Sequence, residues 1–167
     1  VCRAMKTSQT RDRCAKRRAK PATARRGLPK AGRAFALDAA TTVDDNTAIG
    51  YNALTDSTSG TGLLAVGSSA LANNTTGANN TALGTYSMDR NTTGGTNTAV
   101  GGSALYCNTT ASKNAAFGQS ALYANTTGFE NTACGWYSLA ANTTACRNTA
   151  FGAGTLRSNT TGWGHAA

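Results

Sequence analysis

The sequence is poor in the residues that carry most enzyme chemistry. It contains one histidine, His165, and seven acidic residues in 167 positions, and the acids share no common spacing. Catalytic sites and divalent-cation sites need several such groups that converge. Neither a phosphate-cradling glycine loop nor the repeated aspartate pattern of calcium-binding β-rolls is present. We therefore expect a protein that is not an enzyme and that holds no metal or other cofactor.

Long apolar runs and regular cysteine spacings are also missing. No segment has the roughly 18 consecutive apolar residues that a membrane-spanning helix needs, and no signal peptide is visible. The five cysteines include no C-x-x-C pair and no regular spacing, which argues against a zinc site, a redox site or a disulfide framework. We therefore expect no membrane span, and we leave the pairing of the cysteines open.

What the sequence does contain is a unit of seventeen residues, repeated seven times from Asn46 to Gly164. Its consensus is N-T-A-Φ-G-x-x-[AS]-L-x-x-N-T-T-G-x-x, where Φ is apolar; we number its positions one to seventeen and its copies coils one to seven. So short a unit cannot bury its own apolar side chains and must stack on copies of itself. The sequence predicts an all-β fold, a parallel β-solenoid (β-roll) of seven coils over residues 46–164, followed by a tail at 165–167.

A basic arm precedes the repeat at residues 1–45. Twelve of the sixteen basic residues lie between Arg3 and Arg33, against one acid, Asp12. This composition predicts a segment that is disordered alone or ordered on a neighbouring subunit. Phe35 is the one aromatic residue of the arm, which gives no support for base stacking, so nucleic acid is not an expected partner.

Two columns of apolar residues are the predicted core. Position nine is nearly always leucine and position four is apolar in every coil, and we expect each column to come from one strand of the coil, facing inward. The position-four column is Ile49, Val66, Leu83, Val100, Phe117, Cys134 and Phe151, and the position-nine column is Leu54, Leu71, Met88, Leu105, Leu122, Leu139 and Leu156.

Position three is alanine in all seven coils. Because side chains alternate along a strand, this column should face away from a core formed by position four. A solvated strand face would carry varied polar residues, so an invariant alanine column indicates close packing against another chain, or a narrow coil crowded by its own chain. The candidate inter-chain residues are Ala48, Ala65, Ala82, Ala99, Ala116, Ala133 and Ala150.

Positions twelve to fourteen read Asn-Thr-Thr in six coils. Asparagines stacked in register can hydrogen-bond as a ladder, but Asn-Thr-Thr also fits the N-glycosylation acceptor pattern. Both interpretations remain open for Asn74, Asn91, Asn108, Asn125, Asn142 and Asn159.

Aromatic residues concentrate at the variable positions of the later coils. They could stack on sugars or on neighbouring fibres, or they could cover the corners of the coils. The candidate surface-binding residues are Tyr106, Tyr123, Trp136 and Trp163.

The N-T-A-Φ-G unit, followed by A-L about four residues later, resembles the head repeats of trimeric autotransporter adhesins, and the full unit resembles arrays in phage-tail-fibre-like surface proteins. The resemblance covers residues 46–164. It implies a left-handed parallel β-roll, in the adhesins with three chains side by side, in an extracellular stalk or head. The seventeen-residue period is longer than that of the adhesins, and we expect neither a membrane anchor nor a coiled-coil stalk within residues 1–167.

Three functions follow as hypotheses. The first is a structural subunit of an extracellular or cell-surface fibre, in which copies assemble by stacking of the solenoid ends into a filament, or form a trimer, and display polar Asn/Thr edges that could be glycosylated. The second is an adhesin or tail-fibre segment that binds a glycan or a receptor. The third, with least support, is an ice-binding solenoid, because the two threonines of Asn-Thr-Thr are adjacent and should point to opposite faces.

Overall fold

The structure of the chain is a computed structural model, which describes residues 45–167; the predicted arm, apart from Asp45, lies outside them. Each coil contributes one strand of three residues at the T-A-Φ step, where branched and apolar side chains suit an extended backbone. The strands are β1 (Thr47–Ile49), β2 (Leu64–Val66), β3 (Thr81–Leu83), β4 (Thr98–Val100), β5 (Ala115–Phe117), β6 (Thr132–Cys134) and β7 (Thr149–Phe151).

The seven strands form one parallel sheet in chain order, β1 to β7. Every pairing joins residues seventeen apart, as Ala48 pairs with Ala65, so each coil lies directly over the next. The predicted all-β parallel solenoid is thereby confirmed. Over residues 45–167 no helix is long and apolar enough to cross a membrane.

The rest of each coil consists of turns rather than a second strand, which differs from the two strands we expected. The residue of position nine, which is Met88 in coil three and leucine elsewhere, lies in the left-handed backbone region in every coil, as at Leu122 with φ 51°. This conformation costs an L-residue about 1–2 kcal/mol, but it turns the chain sharply enough to close a short coil. Its backbone N–H still donates to the next coil, from Leu122 to the carbonyl of Ser138 at 3.0 Å.

The glycine of position five is required by both conformation and space. Gly118 has φ 128°, a region that is essentially confined to glycine. A Cβ atom at this residue would lie 2.6 Å from the carbonyl oxygen of Gly135 in the next coil. The invariant glycine column therefore lets successive coils approach to strand spacing.

The core has the leucine column on one side and the alanine column on the other. The prediction that position three faces outward and position four inward is wrong. Ala99 is fully buried, and so is every other alanine of its column from Ala65 onward, whereas Ile49, Phe117 and Phe151 of position four are exposed. Buried inside their own chain, the seven alanines, Ala48, Ala65, Ala82, Ala99, Ala116, Ala133 and Ala150, are not an interface.

The reason for the inversion is the width of the coil. Leucine side chains fill the interior from the turn at position nine, where Leu54, Leu71, Met88, Leu105 and Leu122 have no exposed surface. The space between these side chains and the strand admits only the methyl group of an alanine, because large and small residues must alternate to fill a narrow core. Alternation then places the larger side chain of position four outside.

The tail continues the solenoid instead of leaving it. His165 takes the place of the position-one asparagine and donates its backbone N–H to Oδ1 of Asn148 at 3.0 Å. Ala166 bridges to Thr149 of β7 in parallel. Residues 165–167 thus occupy positions one to three of a further coil.

Candidate binding and assembly surfaces

The asparagines of position twelve form a ladder through the interior. Nδ2 of Asn91 donates to Oδ1 of Asn74 in the preceding coil at 2.7 Å, and its other hydrogen reaches the carbonyl of Gly94 in the same coil at 2.9 Å. Because Asn91 is fully buried, both hydrogens need acceptors. The ladder, one of the two interpretations of Asn-Thr-Thr, supplies them.

A second ladder, which the sequence analysis missed, runs along position one. Asn97 donates its backbone N–H and its Nδ2 to Oδ1 of Asn80, at 2.9 and 3.1 Å. The same Nδ2 donates to the carbonyl of Ala111 at 2.8 Å, which also accepts from Asn108 of the first ladder at 3.0 Å. The signal was visible in the sequence, because six of the seven coils begin with asparagine.

The first ladder corrects the glycosylation hypothesis. An N-linked glycan would have to be attached to the side-chain nitrogen, which in the folded coil is enclosed and donates hydrogen bonds. Five of the six candidates have no exposed surface, and the sixth, Asn159, is partly buried and donates to the carbonyl of Gly162 at 2.7 Å. The expectation is therefore wrong for the folded chain at Asn74, Asn91, Asn108, Asn125, Asn142 and Asn159.

The threonines that follow the ladder differ in role. Those of position thirteen donate their hydroxyls along the axis, as from Thr92 to the carbonyl of Thr109 at 2.9 Å. Those of position fourteen, such as Thr93 and Thr110, are exposed apart from the half-buried Thr144. Only one of the two columns therefore presents a hydroxyl outward, and ice binding stays a prediction without further support.

The outward face of the sheet carries a continuous column of apolar side chains. These position-four residues, which we call the outer ridge, are half-buried or exposed; the fraction is 63% for Phe151. The position-two residues, mostly threonine, lie beside them on the same face. No coil has a charged residue in either column. The outer ridge consists of Ile49, Val66, Leu83, Val100, Phe117, Cys134 and Phe151.

Two of the candidate surface-binding residues, Tyr106 and Tyr123, stack on each other. Their ring centres are 5.3 Å apart with planes 7° from parallel, and Tyr86 meets Tyr106 edge-on at 6.3 Å. The guanidinium of Arg90 lies over the Tyr106 ring at 5.1 Å. Because the Tyr123 ring stacks on Tyr106 and the Arg90 guanidinium also lies over its ring, Tyr106 is a poor platform for sugar stacking.

A second aromatic group, which we call the Trp136 cluster, consists of Trp136, Tyr137 and Arg157. The rings of Trp136 and Tyr137 meet edge-to-face with centres 4.6 Å apart, and the Arg157 guanidinium lies over Tyr137 at 4.9 Å. Trp136 is 52% exposed. Sequence reasoning found Trp136 but missed its two partners, because their proximity depends on the turn between positions six and ten.

The fourth candidate, Trp163, belongs to neither group. It lies at position sixteen and is exposed, next in the repeat to a short column of charges at position seventeen. There Glu130 lies 3.6 Å from Nζ of Lys113 and 3.0 Å from Nε of Arg147. Arg147 holds the pKa of Glu130 below its ordinary value by hydrogen bonding and charge. The four candidates therefore do not form one site.

The cysteines and acids form no metal site in the described part of the chain. Residues 45–167 contain no group of three or more potential ligands. Cys107 and Cys146 are disulfide-bonded, whereas Cys134 on the outer ridge is a free thiol.

Comparison with known proteins gives no further assignment. The chain matches no protein-family model, and neither the curated proteins nor the solved structures include a significant match.

Proposed function

We propose that the chain is a structural subunit of a fibre or surface appendage, in which copies associate through the outer ridge. The observation that carries this proposal is the unbroken apolar column on a sheet face without charges. Seven coils at about 4.8 Å each make the column roughly 34 Å long. Contiguous exposed apolar surface of this kind is typical of interaction sites in soluble proteins.

Position four faces outward and position three inward, opposite to what we expected. This orientation supports association of copies through the outer ridge instead of through the alanine column. The alanine column that we expected at the interface lies inside, while the branched and aromatic side chains of Val100 and Phe117 lie outside. If the position-four side chains faced only water, we would expect polar residues in that column, like the exposed threonines of position fourteen. The outer ridge instead repeats an apolar residue in every coil.

Sedimentation of two matched variants tests the proposal. Val100→Asp places a charge in the middle of the outer ridge, and Thr110→Asp places one on an exposed turn of the same coil. We expect the wild type and Thr110→Asp to associate with rising concentration, while Val100→Asp stays monomeric with an unchanged circular dichroism spectrum. Association of Val100→Asp at wild-type strength would refute the role of the outer ridge.

Cys134 reports how the copies are oriented. If solenoids lie parallel and in register, as the resemblance to adhesin heads implies, the free thiols of neighbouring copies meet at the same height. Mild oxidation should then link two chains through Cys134, and Cys134→Ser should abolish the link. Antiparallel copies would instead bring coil six against another coil. Electron microscopy of the same sample separates long filaments from short rods.

We also propose an extracellular or cell-surface location. Its support is that Cys107 and Cys146 are each disulfide-bonded, because disulfides persist in oxidising compartments and are rare in reducing ones. Antibody labelling of intact cells tests the location. Labelling that requires permeabilised cells would contradict it.

A second candidate function is glycan binding by the same appendage. It is favoured by the Trp136 cluster, in which an exposed indole lies beside a second aromatic ring and a guanidinium. Exposed aromatic faces with neighbouring polar groups suit the apolar faces and hydroxyls of sugars. Retention on immobilised oligosaccharides, compared between the wild type and Trp136→Ala, tests this function.

A further inference from the structure

The repeat itself shows that the Trp136 cluster is not required by the coil. Position six is serine, threonine, glycine, glutamine or alanine in five coils, and position seven is serine, asparagine or glycine in five. Only coil six has aromatic residues at both positions. All seven coils nevertheless form the same turn, so the structure does not need Trp136 and Tyr137 where they stand.

Tyr137 also occupies a backbone position that disfavours it. Position seven lies in the left-handed region in every coil, with φ 53° at Tyr137 and 57° at Ser120. Asparagine, glycine and serine are the usual residues in such turns, and a bulky side chain there is an outlier. The turn of the repeat therefore holds Tyr137 in this conformation, not the preference of its own backbone.

The geometry of the cluster defines a compact recognition surface. The Trp136 ring centre and the Arg157 Cζ lie 4.6 and 4.9 Å from the centre of the Tyr137 ring. They are therefore no more than 9.5 Å apart (4.6 plus 4.9), a span that one or two pyranose rings cover. Within the described residues, no carboxylate lies within ion-pair distance of Arg157.

We propose that the Trp136 cluster binds an acidic sugar, with the indole of Trp136 stacking on the pyranose ring and the guanidinium of Arg157 pairing with its carboxylate. Guanidinium and carboxylate match as a bidentate pair, and the ring of Tyr137 holds the guanidinium in place by a cation–π contact. This inference rests on the second candidate function and names its ligand class.

The ligand is better described as acidic than as neutral because of what surrounds the indole. Arg157 is exposed, and arginine carries its charge at all relevant pH values. The neighbouring residue of the same column, Ala140, is uncharged. A neutral sugar offers the guanidinium only hydroxyl groups, whereas a uronic acid offers it a carboxylate.

The experiment uses the two tryptophans of the full chain as separate reporters. In Trp163→Phe, the only remaining tryptophan is Trp136, so its emission reports the cluster and not the basic arm. The probe is an oligogalacturonate, and the matched control ligand is the methyl ester of the same oligomer. We expect a saturable emission change with the acid, and weaker binding by tenfold or more both for the ester and for Arg157→Gln in the same background.

Each alternative outcome overturns a defined part of the inference. Equal response to the acid and to its ester would refute the acidic class and leave glycan binding standing. An unchanged Trp136 emission, or a response only from Trp163 in a Trp136→Phe chain, would refute the site. Association through the outer ridge is measured separately by sedimentation and is unaffected by either result.

Discussion

Nδ2 of Asn125 lies 3.3 Å from Oδ1 of Asn108, whereas the equivalent atoms of Asn91 and Asn74 are 2.7 Å apart. The longer step is the one beside Ala111, which replaces the glycine of position fifteen. A Cβ atom at position fifteen points between these two amides. One extra methyl group therefore lengthens a hydrogen bond in the adjacent ladder.

The other alanine of position fifteen has the same effect more strongly. Beside Ala145 the ladder step is missing, and Oδ1 of Asn142 has no hydrogen-bond partner. At the preceding step, which lies beside Gly128, Nδ2 of Asn142 donates to Oδ1 of Asn125 at 2.9 Å. The two alanine steps are thus the weakest contacts of this ladder between coils two and seven.

Gly94→Ala should reproduce this weakening in a regular coil. The new Cβ would clash with the carbonyl oxygen of Ala111 and would lie 2.6 Å from Oδ1 of Asn91, so one ladder bond should lengthen or break. We expect a loss of about 1 kcal/mol in the free energy of unfolding, measured by urea denaturation. Gly102→Ala is the control, because the nearest atom to its added Cβ is 3.9 Å away. Equal stability of the two variants would contradict the explanation.

Ser57→Asn should extend the ladder by one step. Ser57 occupies position twelve of coil one, is fully buried, and its hydroxyl has no partner. An asparagine there would accept from Nδ2 of Asn74 and donate to the carbonyl of Gly60, as in the other coils. We expect a gain of about 1 kcal/mol in unfolding free energy. Ser59→Asn at an exposed turn should change little, and a destabilised Ser57→Asn would show that coil one lacks the space.

The inverted strand orientation predicts opposite sensitivities for neighbouring residues. Ala99→Leu overfills the interior and should cost about 1–3 kcal/mol of stability. Val100→Ala trims an outward side chain, and the unfolding free energy of the monomer should change by less than about 0.5 kcal/mol. Thermal unfolding of both variants at low concentration measures the two changes in stability. The reverse ranking would restore the orientation that we first expected.

Two acids should make opposite contributions to the pH dependence of stability. Burial raises the pKa of Asp89 above 3.8, more than Arg90 lowers it, so the folded state holds this proton more tightly than the unfolded state. Stability should therefore fall as pH rises from about 4 through the folded pKa. In Asp89→Asn this loss should disappear, which makes the variant more stable than the wild type near neutral pH.

Glu130 provides the comparison of opposite sign. Its pKa lies below 4.5 because of Arg147 and Lys113, so the stability that it contributes is present above about 4.5 and is lost as pH falls through the folded pKa. Glu130→Gln should remove a small contribution at neutral pH, because all three groups are partly or well exposed and exposed ion pairs contribute little. Urea denaturation at several pH values measures both variants, and slopes of the same sign would contradict the assignment.

The sequence predicted the period, the number of coils and the parallel register, because seventeen-residue spacing admits no other way to bury a leucine in every unit. It also separated positions three and four onto opposite faces. It did not show which face lies inside, because that depends on how far the leucine of position nine reaches across the coil. The pairing of Tyr137 with Arg157 was equally hidden, since it depends on left-handed residues that propensity disfavours.

The stacking of identical positions has a consequence for changes in chain length. Removing residues 97–113, one whole coil, would bring Asn114 against Asn80 and leave every column intact. Removing a single residue from the same coil would shift every later side chain by one position, so buried amides would face solvent and the ridge would turn inward. The length of this chain can therefore change readily in steps of seventeen residues, and any other step disrupts all the coils that follow.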